Sequence, residues 1–109
     1  MTLQNHPFPE RLRQARKKAA LSQRDLGIRV GMDEGSASGR MNHYEKGRHL
    51  PDVDMLKKLA NELGVPLSYF FCEDDLSAEL VCLFANLDDE VKINILNKMR
   101  RLNDDPLKR

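Results

Sequence analysis

The stretch Leu21-Ser22-Gln23-Arg24-Asp25-Leu26-Gly27-Ile28-Arg29-Val30-Gly31-Met32-Asp33 decides how this chain is read. Ser22 is placed to cap a helix, because its hydroxyl can accept from the free amides of the next turn. Leu26 and Val30 recur four residues apart, so a helix over Gln23 to Val30 buries one face and stops at Gly31. Asp33 is a second good cap, which leaves Gly31 and Met32 as the turn between two helices. Helices that cross steeply need such a turn of three or four residues containing a glycine. Gly27 adds a small residue where the two must approach closely.

The same helical period continues on both sides of this stretch, and no period-two run competes with it. Before it, Pro9 to Ala20 predicts a helix with Leu12, Ala15 and Ala19 on the core face. After it, Ala37, Met41 and Tyr44 keep helical spacing as far as Lys46, and Gly47 supplies a left-handed stop. Pro51 and Asp52 open a fourth helix carrying Met55, Leu56, Leu59, Ala60 and Leu63, closed by Gly64. A short turn of helix covers Pro66 to Phe71. An acidic connector (Glu73, Asp74, Asp75) leads to two more apolar stripes, at 76–87 and, capped by Asp88, at 91–102. The expected fold class is therefore all-α, with five helical segments followed by two C-terminal helices. We divide the chain into 8–72, a C-terminal helical extension over 73–103, and a polar frayed tail over 104–109.

Net charge is only +1, yet the charges are segregated. Residues 1–50 carry ten Lys and Arg against five acids; residues 51–96 carry three against ten. Residues 97–109 carry five against two. A basic first half points one surface at a polyanion and leaves the acidic half for another partner, unless both are simply solvated faces. No run of 18 apolar residues is present, so no membrane partner is expected. The first nine residues lack a secretory signature. Cys72 and Cys82 are too few for a disulfide scaffold, and a reducing cytoplasm is the expected home.

From Phe8 to Phe71 the residues resemble the phage-repressor-like (Cro/XRE) helix-turn-helix family. The likeness is carried by Arg16, Leu21-Ser22-Gln23, Leu26-Gly27, Val30-Gly31-Met32, Met41 and Tyr44-Glu45-Lys46-Gly47-Arg48. Pro51, Leu56, Leu59-Ala60 and Leu63-Gly64-Val65 complete it. The resemblance implies a repressor-like domain whose third helix reads double-stranded DNA, and it implies an ion pair, Arg16–Glu45, that locks the first helix to the third. It also implies a homodimer on a near-palindromic operator. One departure stands out: about four more residues separate Gly31 from Tyr44 than the family usually has. With Asp33 as cap and Glu34 behind it, we read a recognition helix over 34–46, lengthened by one turn. The other reading of residues 33–38 is a longer turn ending at Ser36, itself a possible cap.

Placing Ala37, Met41 and Tyr44 on the core exposes Gly35, Ser36, Gly39, Asn42, His43 and Lys46, with Ser38 and Arg40 at the edges. Gly35 and Gly39 would let the backbone sit close to bases, or else mark a poorly formed first turn. Asn42 suits adenine and Arg40 suits guanine, each discriminating by roughly 1–3 kcal/mol. Gln23, at the exposed start of the second helix, suits a phosphate oxygen, and Lys46 and Arg48 suit the backbone of the other strand. His43 is either a donor to DNA or a solvated histidine.

His6, His43 and His49 form no ligand pattern with the cysteines, so neither metal nor cofactor is expected. Cys82, inside an apolar stripe, is expected to be a small core residue. No nucleophile–base arrangement or phosphate loop stands out, and an enzyme is not expected. The leading function is sequence-specific DNA binding as a transcriptional regulator, expected to be a repressor. The rival is a helix-turn-helix module that binds only protein. Leu80, Phe84, Val91, Ile95 and Met99 are the expected dimer contacts.

Overall fold

A computed structural model describes residues 6–104. Its described residues are helical and contain no strand: α1 (Phe8–Lys18), α2 (Gln23–Arg29), α3 (Ala37–Glu45), α4 (Val53–Leu63), a 3₁₀ segment (Leu67–Phe71), α5 (Asp75–Ala85) and α6 (Asp89–Asn103). The all-α fold class anticipated from the periodicity is the one found. Residues 105–109, most of the expected frayed tail, lie outside the described residues.

Side-chain caps account for four helix starts. Ser22 accepts from the Asp25 amide at 2.9 Å, Asp52 from Met55 at 2.9 Å, Asp74 from Ser77 at 2.6 Å and Asp88 from Val91 at 3.0 Å. Each satisfies one of the amides that a helix start leaves without an internal partner. The ends of α1 to α4 share one device. At the end of α3, Gly47 donates to the Tyr44 carbonyl and Arg48 to the His43 carbonyl, with Gly47 at φ +74°. This is the paired-bond left-handed stop that favours glycine. α1 ends the same way, but there the left-handed residue is Ala20, at φ +58°. That stop ends α1 two residues earlier than the sequence predicts. It also turns Ala19 outward, so this expected core residue is exposed.

The core closes around Phe8, Leu12, Leu26, Met41, Leu59 and Phe70, all fully buried. Phe8 and Phe70 meet edge to face, ring centroids 5.2 Å apart, and tie the start of α1 to the 3₁₀ segment. Hydrophobic periodicity does not reveal this pair, because Phe70 lies in a short 3₁₀ segment sixty-two residues from Phe8. Between α2 and α3 the backbones come very close: a Cβ on Gly27 would stand 2.7 Å from the Cβ of Ala37 and 3.0 Å from its carbonyl oxygen.

Beyond Phe71 the packing changes. α5 is anchored by buried Ala78 and by Arg11 of α1. Arg11 Nε donates to the Cys72 carbonyl at 3.0 Å, and its Nη1 pairs with Asp75 at 2.9 Å. Cys82 is only half-buried, so the expectation of a core cysteine is corrected; burial still pushes its thiol pKa up. α6 has no buried residue. The radius of gyration is 16.6 Å, against about 13 Å for a compact domain of this length. The C-terminal helices thus extend the molecule to 56 × 34 × 22 Å instead of thickening its core.

Candidate nucleic-acid interface

Side-chain hydrogen bonds from α1 and α2 to α3 meet at Glu45. Arg16 Nε donates to Glu45 Oε2 at 2.6 Å and Nη2 donates to Oε1 at 3.0 Å, a two-pronged contact between α1 and α3. The side chains are 11% and 4% exposed, so the pair is largely dry. A third guanidinium nitrogen, Nη1, donates to the Leu21 carbonyl at 2.9 Å, which fixes the loop between α1 and α2. The bond to Glu45 raises the Arg16 pKa, with burial opposing it. Planar guanidinium and carboxylate match each other in shape as well as charge, so the contact sets an angle between helices and not merely a distance.

Gln23 joins the same network. Its side-chain amide donates to Glu45 Oε1 at 3.2 Å and to Asn42 Oδ1 at 3.3 Å. The first residue of α2 is thereby tied to α3, and the Asn42 amide is held from one side. Asn42 keeps its two N–H donors and a second lone pair on Oδ1, the complement needed to meet an adenine edge. His43 is held differently: its ring stacks on His49 at 5.6 Å, with 11° between planes.

The other singled-out residues are placed as follows. Ser36, Ser38, Gly39, Arg40, Lys46 and Arg48 are exposed, whereas Gln23, Asn42 and His43 are half-buried. Lys46 and Arg48 flank the buried Gly47 at the C-terminal end of α3, away from Ser36 and Ser38. The first turn of α3 contains no acid.

The added residues do not lengthen the recognition helix. α3 begins at Ala37, and residues 34–36 form a turn, which corrects the reading of a helix over 34–46. Asp33 acts through its backbone, not as a side-chain cap: its carbonyl accepts from the Ser36 amide at 3.0 Å and the Ala37 amide at 2.9 Å. Three causes combine. Glu34-Gly35-Ser36 is a weak helix former, with glycine at its centre costing about 1 kcal/mol. Ala37 must sit fully buried against Gly27, fixing where the helix starts. Finally, the Glu34 carboxylate is engaged by the Arg24 guanidinium of α2. Neither Arg24 nor this contact was singled out from the sequence, since a ten-residue separation across a turn carries no periodic signal.

Residues 10–74 match the helix-turn-helix domain family. The chain belongs to the XRE-like helix-turn-helix family. It is similar to the HTH-type transcriptional regulator ImmR of Bacillus subtilis (strain 168), with 29% identity over 68 residues. That match covers 62% of this chain and 50% of ImmR, so it spans about half the length of that relative. It is also similar to the crystal structure of the transcriptional regulator BswR, with a TM-score of 0.79 and 41% identity. This second likeness covers 86% of this chain and 93% of that one. Since 86% is more than residues 10–74 span, it reaches into the α5–α6 extension. Among the described residues no group of three or more His, Cys, Asp or Glu is arranged to hold a metal ion. None of their helices is long and apolar enough to cross a membrane.

Proposed function

We propose that this helix-turn-helix protein binds duplex DNA sequence-specifically as a transcriptional regulator and acts as a repressor, with α3 in the major groove. The observation that carries this reading is the fate of Glu45. It is the one carboxylate on α3, and Arg16 consumes it, so the outward face is left with donors, small residues and cations. Arg40 and Asn42 are assigned to base edges, with Ser36, Ser38, Gly39 and His43 around them. Lys46 and Arg48 are assigned to the phosphate backbone through their side chains, and Gln23 through its backbone amide, because both N–H groups of its side chain are engaged. Arg16 and Glu45 are assigned to architecture alone.

The protein acts as a homodimer on a near-palindromic operator. Support comes from α6, fifteen residues long with none buried, a length at which an isolated helix is marginal in water. Leu80, Val91 and Met99 are exposed, while Phe84 and Ile95 are half-buried. Leu76, Leu83, Ile93 and Leu102 are further exposed apolar side chains on these two helices. A two-fold axis there sets two α3 helices about 34 Å apart, one turn of DNA.

Titration of labelled duplexes at rising salt tests the assignment. Lys46→Ala and Arg48→Ala weaken binding to all sequences alike, each flattening the salt slope by about 0.9. Arg40→Ala and Asn42→Ala relax discrimination between sites instead. A salt slope near zero would overturn the DNA-binding reading. For the dimer, light scattering gives twice the chain mass at micromolar concentration, and Met99→Glu lowers it. A monomeric parent protein refutes that part.

A further inference from the structure

The contact between Arg24 and Glu34 adds little to the stability of the fold, since both side chains are substantially exposed, 50% and 73%. It does have a telling position. Arg24 follows Gln23 in the first turn of α2. Glu34 stands in the added turn that leads into α3, whose N-terminal end enters the groove when such a helix reads DNA. A cation and an anion therefore face each other at the rim of the proposed interface, between its two DNA-facing helices.

From this juxtaposition we infer that Glu34 is a decoy for the phosphate-binding cation Arg24, making it a determinant of how strongly the protein holds DNA of any sequence. The inference rests on the DNA-binding reading above. An exposed pair of this kind is held by no more than about a fivefold factor in its equilibrium constant. A phosphate oxygen, which Arg binds in the same two-pronged manner as a carboxylate, can take Arg24 from Glu34. Each binding event must then release Glu34, whose charge is left facing the DNA backbone. The penalty falls equally on every duplex, because phosphates carry no sequence information. Selected and scrambled duplexes are therefore weakened by the same factor, so the pair sets overall affinity and leaves the ratio between sites to Arg40 and Asn42. The added turn that separates this chain from the usual family spacing thus supplies a charge, not a longer reading helix.

A double-mutant cycle tests this, with Kd measured on a duplex recovered by selection and on a scrambled duplex. Glu34→Gln tightens binding to both. The gain is larger in the parent than in the Arg24→Gln background, by a factor of up to about five. Arg24→Gln by itself flattens the log–log salt slope by about 0.9, the loss of one phosphate contact. Equal gains in the two backgrounds would mean that Glu34 acts only through its distant charge, and would overturn the decoy. An unchanged salt slope in Arg24→Gln would overturn it too, as would a Glu34→Gln variant that binds like the parent. If the parent protein bound neither duplex at low salt, the DNA-binding reading would fall first and take this inference with it.

Discussion

Arg16→Met asks the most of the α1–α3 geometry. The substitution keeps an unbranched side chain of similar length but removes three donors at once: two to Glu45, at 2.6 and 3.0 Å, and one to the Leu21 carbonyl, at 2.9 Å. Glu45, only 4% exposed, keeps just the Gln23 amide at 3.2 Å. Orphaning one member of a buried pair costs about 3–5 kcal/mol. Because Gln23 stays and Arg16 itself has some solvent contact, we place the loss at the lower end, about 3 kcal/mol. For a chain of this size that lowers Tm by roughly 13 °C. The raised pKa of Arg16 keeps it charged throughout the physiological range, so the pair is intact in the parent at neutral pH. The double variant Arg16→Met, Glu45→Met recovers most of the loss, since no buried carboxylate is left unpaired. Calorimetric melting of the three proteins is the assay. A single variant that melts with the parent while losing DNA affinity would refute the reasoning and make Arg16 a phosphate contact.

Three further outcomes are expected. Gly27→Ala lowers Tm by about 4 °C or more, because crowding against the Ala37 backbone outweighs the roughly 1 kcal/mol of helix propensity gained; an unchanged Tm contradicts the close approach of α2 and α3. Ala20→Gly raises Tm by about 4 °C by relieving a left-handed non-glycine residue at the end of α1, and a fall in Tm refutes it. Hydrogen bonds from Ser77 hold the Asp74 carboxyl below its usual range, so its stabilisation of α5 is present above the ordinary carboxylate pKa and is lost as pH falls through the depressed one. Acid titration of the Ser77 amide by NMR shows the loss, Asp74→Asn abolishes the step, and an unaltered step in that variant contradicts the cap.

The fold was legible where one residue type performs one local task. Ser22, Asp52 and Asp88 mark helix starts by their hydrogen-bonding chemistry, and Gly31, Gly47 and Gly64 adopt positive φ where the stripes stop. It was less legible where two local signals coincide. Asp33-Glu34 carries the signature of a helix start, but the burial of Ala37 against Gly27, settled only in three dimensions, moves the start to Ala37. Likewise, Arg11 looks like one more solvated cation of α1, yet it is buried beneath α5, reaching a carbonyl sixty-one residues away. Of the interface, the polar face of α3 could be drawn from the positions of Ala37, Met41 and Tyr44. The partners of its side chains could not: Gln23 turning onto Asn42, His43 stacking on His49 and Arg24 reaching Glu34 are all tertiary events.

The central claim is that the outward face of α3 reads a specific duplex. Selection of bound fragments from a genomic duplex library by the full chain tests this most directly. The account predicts an enriched near-palindromic sequence with half-sites about 10 base pairs apart, and its loss with Arg40→Ala combined with Asn42→Ala. Recovery of no enriched sequence, or of the same sequence by that double variant, would contradict it.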